Sequence, residues 1–273
     1  MSFLKTIENM KTVRDYHDTV VPATILRRLV NLTQSSPGLL PSNSHLLRII
    51  EDGQGFFELM NGKAGYYGKM IQAPHYIVLF DKVQDGVYEN SGYVMEKLRL
   101  SAWKEDLGTC WISIDEPLDL SAWVEDPVTD PPMALVAIGY PESSIFRQDI
   151  LKKSARLPLT ELVFLEKWNR PCSLDQLETR GLSEILYYGK LAPSWGNRQP
   201  WRFILHREQI YLTVHAKDQE ARARIDAGIV MLYVQQAAHD RGLSMNWQLI
   251  PPNDSLVETL QIPESEHLIA CLT

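Results

Sequence analysis

The sequence predicts a mixed helix-and-sheet protein, α+β or α/β, assembled from two related units. Three observations support that reading. Helical and strand-like patterns alternate along the chain, and the order of elements in its first half returns in its second. At 273 residues, 45% of them hydrophobic, the chain is also long enough to bury one large core or two medium ones.

Residues 25–33 place Ile25, Leu26, Leu29 and Val30 at helical spacing. Asn90 or Ser91 offers an N-cap to a second helix carrying Val94, Met95, Leu98 and Ala102, with Gly108 set to end it. Runs rich in β-branched and aromatic residues at 75–80, 109–114 and 133–138 read as strands. The pattern then recurs. Asp226 can cap a helix carrying Val230, Met231, Val234 and Ala238, Gly242 lies past its end, and strand-like runs follow at 245–250 and 267–272. Laying Gly92 over Gly228 brings Val94 onto Val230, Met95 onto Met231, Ala102 onto Ala238, Leu107 onto Leu243 and Trp111 onto Trp247. The join lies within residues 147–181, which hold Pro158, Pro171 and many charges, although the apolar 161–165 stretch suggests local order. The expected halves are 1–158 and 159–273.

Composition narrows the function. A net charge of -7 argues against a nucleic-acid partner, since such proteins carry a basic excess. Three cysteines far apart in sequence make neither a disulfide framework nor a Cys-x-x-Cys metal site, which suits a reducing, cytoplasmic compartment. The N-terminus shows no cleavage signature, and nothing approaches the roughly 20 apolar residues of a membrane span, so no membrane partner is expected. The phosphate loop, the dinucleotide Gly-x-Gly-x-x-Gly turn, the His-Glu-x-x-His pair and the Gly-x-Ser-x-Gly elbow are all missing, and the seven histidines stand singly, so no metal site is expected.

The most specific string is Ala192-Pro-Ser-Trp-Gly-Asn-Arg-Gln-Pro-Trp201. A helix with Ile185, Leu186 and Leu191 runs into Pro193, which stops it, and a strand at 201–205 follows. The intervening loop can offer backbone groups, Ser194 and Asn197 to a planar heterocycle that needs several donors and acceptors. By composition alone it reads first as an ordinary turn in which Asn197 and Gln199 tidy the backbone.

That string resembles the Ala-Pro-Ser-x-x-Asn-x-Gln-Pro-Trp motif of the FMN-binding nitroreductase superfamily. Other strings follow in family order: Lys11-Thr-Val-Arg-Asp-Tyr16 resembles its opening basic motif, and Gly68-Lys-Met-Ile-Gln-Ala-Pro-His75 its lysine segment. Leu107-Gly-Thr-Cys-Trp-Ile112 and Ala134-Leu-Val-Ala-Ile-Gly-Tyr-Pro141 are similar to its late helix–strand junction and last core strand, and Ser154-Ala-Arg-Leu-Pro158 to its closing basic segment. The likeness covers residues 7–158 well and 182–272 more loosely. In the family each flavin lies between two subunits, one giving the opening and lysine segments, the other the Pro-Ser loop. Here the first two lie in the first half and the full loop in the second, similar to the putative nitroreductases built as single-chain pseudo-dimers. The fold so implied is α+β, two sheet-and-helix units fused as a pseudo-dimer.

The resemblance implies one FMN per chain, in a cleft built by both halves. Lys11, Thr12, Arg14 and Arg156 would hold its phosphate through charge-assisted bonds. Lys69, near the flavin N1/O2 edge, would stabilise the anionic reduced ring. Pro193, Ser194 and Asn197 would contact the ring and ribityl chain, Trp195 would stack or plug the loop, and Cys110, Trp111 and Ile112 would pass nearby, Cys110 as packing and not as a nucleophile. NAD(P)H would be the reductant, and a small electron-poor molecule such as a nitroarene or quinone the acceptor, with no side-chain acid or base required. A non-catalytic flavin- or metabolite-binding protein and a flavin-remodelling or dehydrogenating enzyme are the alternatives. The expected assembly is a monomer with an intramolecular site, or a weak homodimer. The chain departs from the family at Met10, where an arginine is common, and at His45, Leu46 and Leu47, which replace Gln-Pro-Trp in the first half. In the second half Lys167 and Arg170 keep the spacing of Lys11 and Arg14, but Trp168 replaces the hydroxyl residue.

Overall fold

The computed structural model describes residues 3–41, 44–114, 119–126, 128–142, 156–215 and 220–273. The chain divides into two compact units. The first is built from Asn9–Val87 and Val94–Arg147, the second from Ser2–Glu8, Tyr88–Tyr93 and Gln148–Thr273. The chain opens on α1 (Phe3–Asn9), most of which belongs to the second unit.

In the first unit α2 (Ala23–Gln34) starts behind Pro22 and buries Leu26, Leu29, Val30 and Thr33 as one stripe. Then come β1 (Leu46–Ile50), α3 (Gly53–Met60), β2 (His75–Phe80), α4 (Val87–Lys104), β3 (Gly108–Ile112) and β4 (Pro132–Gly139). The strands form an antiparallel sheet in the order β1-β2-β4-β3. β2 is buried along its whole length, and its Tyr76 ring packs 4.9 Å from Phe56 of α3.

The second unit contains α5 (Leu159–Leu162), β5 (Val163–Leu165), α6 (Leu174–Thr179), α7 (Ser183–Lys190), β6 (Trp201–His206), β7 (Gln209–His215), α8 (Glu220–Asp240), β8 (Trp247–Leu249), α9 (Asp254–Leu260) and β9 (Glu266–Leu272). The apolar 161–165 stretch is ordered, as the end of α5 and β5. Its sheet runs β5-β6-β7-β9-β8, with β5 parallel to β6 and the rest antiparallel. Without β5, this is the strand order of the first sheet. The registers agree as well. The first sheet has the rung Ile49–Ile77–Val136–Trp111, and the second has Leu205–Ile210–Leu272–Trp247. Trp111 and Trp247, matched in sequence, thus end equivalent rungs.

Three expected helix signals are corrected. α4 begins at Val87 behind Gly86, so Asn90 and Ser91 are not caps; they lie inside the helix, 1% and 0% exposed. Gly108 does not end α4 but opens β3; the turn is made by Glu105 and by Asp106 at φ 59°. α8 is already helical at Glu220, so Asp226 is an interior residue. Gly92 and Gly228 have a different purpose from starting helices. A Cβ on Gly92 would lie 2.0 Å from the Ile225 carbonyl oxygen, and one on Gly228 would lie 1.9 Å from that of Glu89. Tyr88–Tyr93 of α4 belong to the second unit, and within it they meet α8 backbone to backbone, so any side chain at either glycine would force the helices apart. Glu89 seals the crossing with an ion pair to Arg224 at 2.6 Å, and the Tyr93 hydroxyl donates to Gln235 at 3.1 Å. Among the described residues no helix is long and apolar enough to cross a membrane.

Candidate functional site

In the first unit the opening basic segment lies along the outer edge of β3. Thr12 bridges Thr109 in parallel, the Val13 N–H donates to the Thr109 carbonyl at 3.0 Å, and Tyr16 bridges Pro141. The Tyr16 hydroxyl donates back to the Val13 carbonyl at 2.7 Å, bracing the segment. Val13 packs so closely that a Cβ on Gly108 would lie 2.5 Å from it. Lys11 and Arg14 are left exposed on this edge, with Thr12 half-buried between them.

Cys110 and Ile112 of β3 point into the core of the first unit. Burial pushes the Cys110 thiol up, outweighing the pull of Arg14 and Arg99, so the sulfur stays protonated and unreactive. Trp111 is half-buried on the other face, and its indole N–H donates to Glu96 at 2.9 Å. Glu96 and Arg99 form a buried ion pair at 2.6 Å, and Arg99 also donates to the Thr109 hydroxyl at 3.1 Å. The strand that carries the opening segment is thereby locked to α4. Lys69 closes a tight loop whose Gly62 N–H donates to the Gly68 carbonyl at 2.9 Å, and its side chain is exposed.

In the second unit α7 ends at Lys190 with Leu191 as its C-cap, and the chain passes through Pro193 into a single 3-10 turn at Trp195–Asn197 before β6. Gly196, Asn197 and Gln199 have φ of 59°, 58° and 50°, a sharply folded backbone that needs bracing. Gln199 supplies it. Its buried side chain accepts the Leu157 N–H at 2.9 Å and donates to the Asn197 carbonyl at 3.2 Å, while its own N–H donates to the Ser194 hydroxyl at 2.9 Å. The Asp226 carboxylate of α8 accepts the Trp195 N–H at 3.1 Å. The turn in which Gln199 orders the backbone and the loop that displays Pro193, Ser194 and Asn197 are therefore one structure. Those three side chains are half-buried at its surface.

Arg156 reaches this loop and donates to the Ala192 carbonyl. Burial lowers its pKa, with Tyr233 and Asp226 opposing the shift. Ser154 and Ala155, from the same closing string, lie outside the described residues. The Trp195 ring has the guanidinium groups of Arg198 and Arg222 at 4.4 and 4.7 Å from its centre, so cations already compete for the faces that stacking would use. Sequence reading missed Arg222 and the true role of Asp226, because both reach the loop from α8. The first unit thus carries three exposed cations, Lys11, Arg14 and Lys69, and the half-buried Thr12, and the second carries the half-buried Arg156 beside a rigid polar loop. Among the described residues no cluster of His, Cys, Asp and Glu could hold a metal ion.

A two-sheet fold with these motifs defines the nitroreductase class, and comparison with known proteins agrees. Residues 2–238 match the family described as "Putative TM nitroreductase", and residues 204–273 match the "Nitroreductase family". The chain belongs to the first of these. A structure from Thermotoga maritima described as a "putative nitroreductase" superimposes with a TM-score of 0.63 at 19% identity, covering 100% of this chain and 93% of that one, which establishes a shared fold. A nitroreductase family protein from Clostridium difficile aligns with a TM-score of 0.48 at 20% identity, over 59% of this chain and 96% of its own. A nitroreductase with bound FMN from Bacteroides fragilis aligns with a TM-score of 0.46 at 15% identity, over 58% and 98%. No curated protein matches the sequence.

Proposed function

We propose that this protein is an FMN-dependent oxidoreductase that passes electrons from NAD(P)H to a small, electron-poor acceptor such as a nitroarene or quinone. The observation that carries the reading is the 192–201 loop, folded tightly by Gln199 and Asp226 and reached by Arg156. Bound FMN would supply the two-electron chemistry. Lys11, Thr12, Arg14 and Arg156 bind the phosphate, where Arg156 adds charge with its donors already oriented. Lys69 holds positive charge at the ring edge and favours the anionic reduced form. Pro193, Ser194 and Asn197 orient the ring and ribityl chain, and Trp195, capped by cations, plugs the loop instead of stacking. Cys110, Trp111 and Ile112 support the site through the strand on which the opening segment lies. Residues of both halves thus serve one flavin per chain in a monomer, and no second copy is needed.

The three cysteines are free and buried, which suits the reducing cytoplasm proposed as the protein's location. The test has two parts. Titration of the purified chain should show uptake of FMN in preference to FAD, since the proposed donor set suits one phosphate and the sequence carries no Gly-x-Gly-x-x-Gly dinucleotide turn. Anaerobic NADH or NADPH should then bleach the bound flavin. FMN uptake without bleaching would identify a non-catalytic binding protein, and no uptake would overturn the reading altogether.

A further inference from the structure

Beside the 192–201 loop, the sheet of the second unit ends on a polar group that the proposed flavin contacts do not use. His215 is the last residue of β7, and its N–H donates to the Pro200 carbonyl at 2.8 Å. Its ring Nδ1 lies 3.1 Å from Glu266 Oε1, and the Thr213 hydroxyl donates to Glu266 Oε2 at 3.2 Å. Arg202 directs its charge toward the same carboxylate and donates to the Gln199 carbonyl at 3.1 Å, which ties the group to the loop a second time. An irregularity in the sheet builds the pairing. Leu212 faces Ala270 but Thr213 faces Leu268, so β9 holds one extra residue there and His215 meets Glu266 instead of His267. Such bulges re-aim side chains.

The two partners differ sharply in exposure. The Glu266 side chain is 7% exposed and the His215 side chain 54%. A buried carboxylate costs stability, and burial pushes this one up, with Thr213, His215 and Arg202 opposing the shift. What the arrangement gains is an imidazole held by Nδ1, with Nε2 on the far side of the ring able to exchange a proton with a docked molecule. We propose that His215, positioned by Glu266, is the proton donor to the oxygen of the electron acceptor, and that the site favours acceptors that take up protons as they are reduced, quinones above all. A quinone that receives hydride is left with an anionic oxygen. The His215 Nε2–H bond breaks, an O–H bond forms on that oxygen, and the ring regains its proton from water, while Glu266 balances the charge of the protonated ring. The two electrons come from NAD(P)H, so this inference rests on the proposed function.

The test compares two acceptors. Menadione takes up protons on reduction, whereas ferricyanide takes electrons alone. In the FMN-loaded chain, His215→Gln should lower the ratio of menadione kcat to ferricyanide kcat by about 100-fold, and Glu266→Gln should lower it in the same direction. His215→Gln changes the exposed partner, so it tests the role even where Glu266→Gln does not fold. NMR of the histidine ring nitrogens gives a readout without turnover: the neutral His215 ring should carry its proton on Nδ1 in the wild type and lose that preference in Glu266→Gln. A ratio within about twofold of wild type in His215→Gln would overturn the proton-donor role alone. A proton on Nε2 of the neutral wild-type ring would overturn the pairing that positions it. Failure of the wild-type chain to take up FMN would instead overturn the proposed function and this inference with it.

Discussion

The two units share a strand order and a rung register but differ in two regions that matter for chemistry. Around Trp111 the first unit uses charge. Arg99 bridges Glu96 and the Thr109 hydroxyl, and Glu96 holds the indole N–H. At the matched positions of the second unit stand Leu232 and Gln235, and the Trp247 indole N–H donates at 2.8 Å to the Met231 carbonyl. The segments that lead into β1 and β6 also diverge. Residues 192–201 are folded by Gln199, whereas the 36–45 stretch ends on His45, which is 0% exposed and has no hydrogen-bond partner for either ring nitrogen among the described residues. The two units have thus kept one strand order and register while the polar groups and loops built on them differ. The opening basic segment lies on the charged strand of one unit, and the polar loop lies in the other. Trp168, which replaces a hydroxyl residue in the second unit, packs 4.9 Å from Phe164 and serves the core instead.

The largest expected effect tests the charged side of this comparison. Arg99→Leu removes the ion-pair partner of the buried Glu96 and should cost about 3–5 kcal/mol in chemical denaturation. Gln235→Leu, its neutral counterpart, should cost about 1–3 kcal/mol, because it removes the bond that the buried Tyr93 hydroxyl donates to Gln235. Equal losses in the two variants would break the comparison.

Much of the fold was legible because burial writes a period into the sequence. β2, fully buried, reads as an unbroken apolar run, and the Trp111–Trp247 match survived because both residues end equivalent rungs. β1 and β7 went unseen for physical reasons. Leu46–Ile50 is too short and uniform to show a period. β7 follows a two-residue turn in which Arg207 takes the left-handed position at φ 54°, with none of the Gly or Asn that usually marks a hairpin. In the site, the motif strings could be read locally. Asp226 was misread because its acceptor role, the Trp195 N–H, lies 31 residues away in sequence, whereas an N-cap role is judged from neighbours.

The next effect sharpens the division of chemistry. Arg14→Ala and Arg156→Ala, from different units, should each weaken FMN binding by about 1.5–3 kcal/mol in fluorescence titration. Loss from only one of them would confine the phosphate to a single unit.

The smallest effect concerns acid. Burial lowers the pKa of His45, with Asp81 opposing and Lys97 assisting, and burial likewise lowers that of His75, whose Nε2 accepts the Val21 N–H at 3.1 Å. Both must be neutral in the folded first unit. A depressed folded pKa means that stability is complete above about pH 6.5 and falls as pH drops below it. In the second unit burial raises the pKa of Glu266, which has the opposite sign: acidification relieves its buried charge. His45→Leu should therefore remove about 1 kcal/mol of the stability lost between neutral pH and about pH 5.5. An acid profile unchanged by His45→Leu would assign the sensitivity elsewhere.

The central proposal is that residues of both units serve one flavin, so that the chain binds one FMN. The direct measurement is the stoichiometry of FMN titrated into the purified full-length chain, read at saturation from flavin absorbance and protein concentration. One FMN per chain, lost in Asn197→Ala, is the predicted result. Two per chain would mean that the 36–45 stretch still binds flavin. A half-equivalent would mean that two chains share a site, and either result would contradict the account.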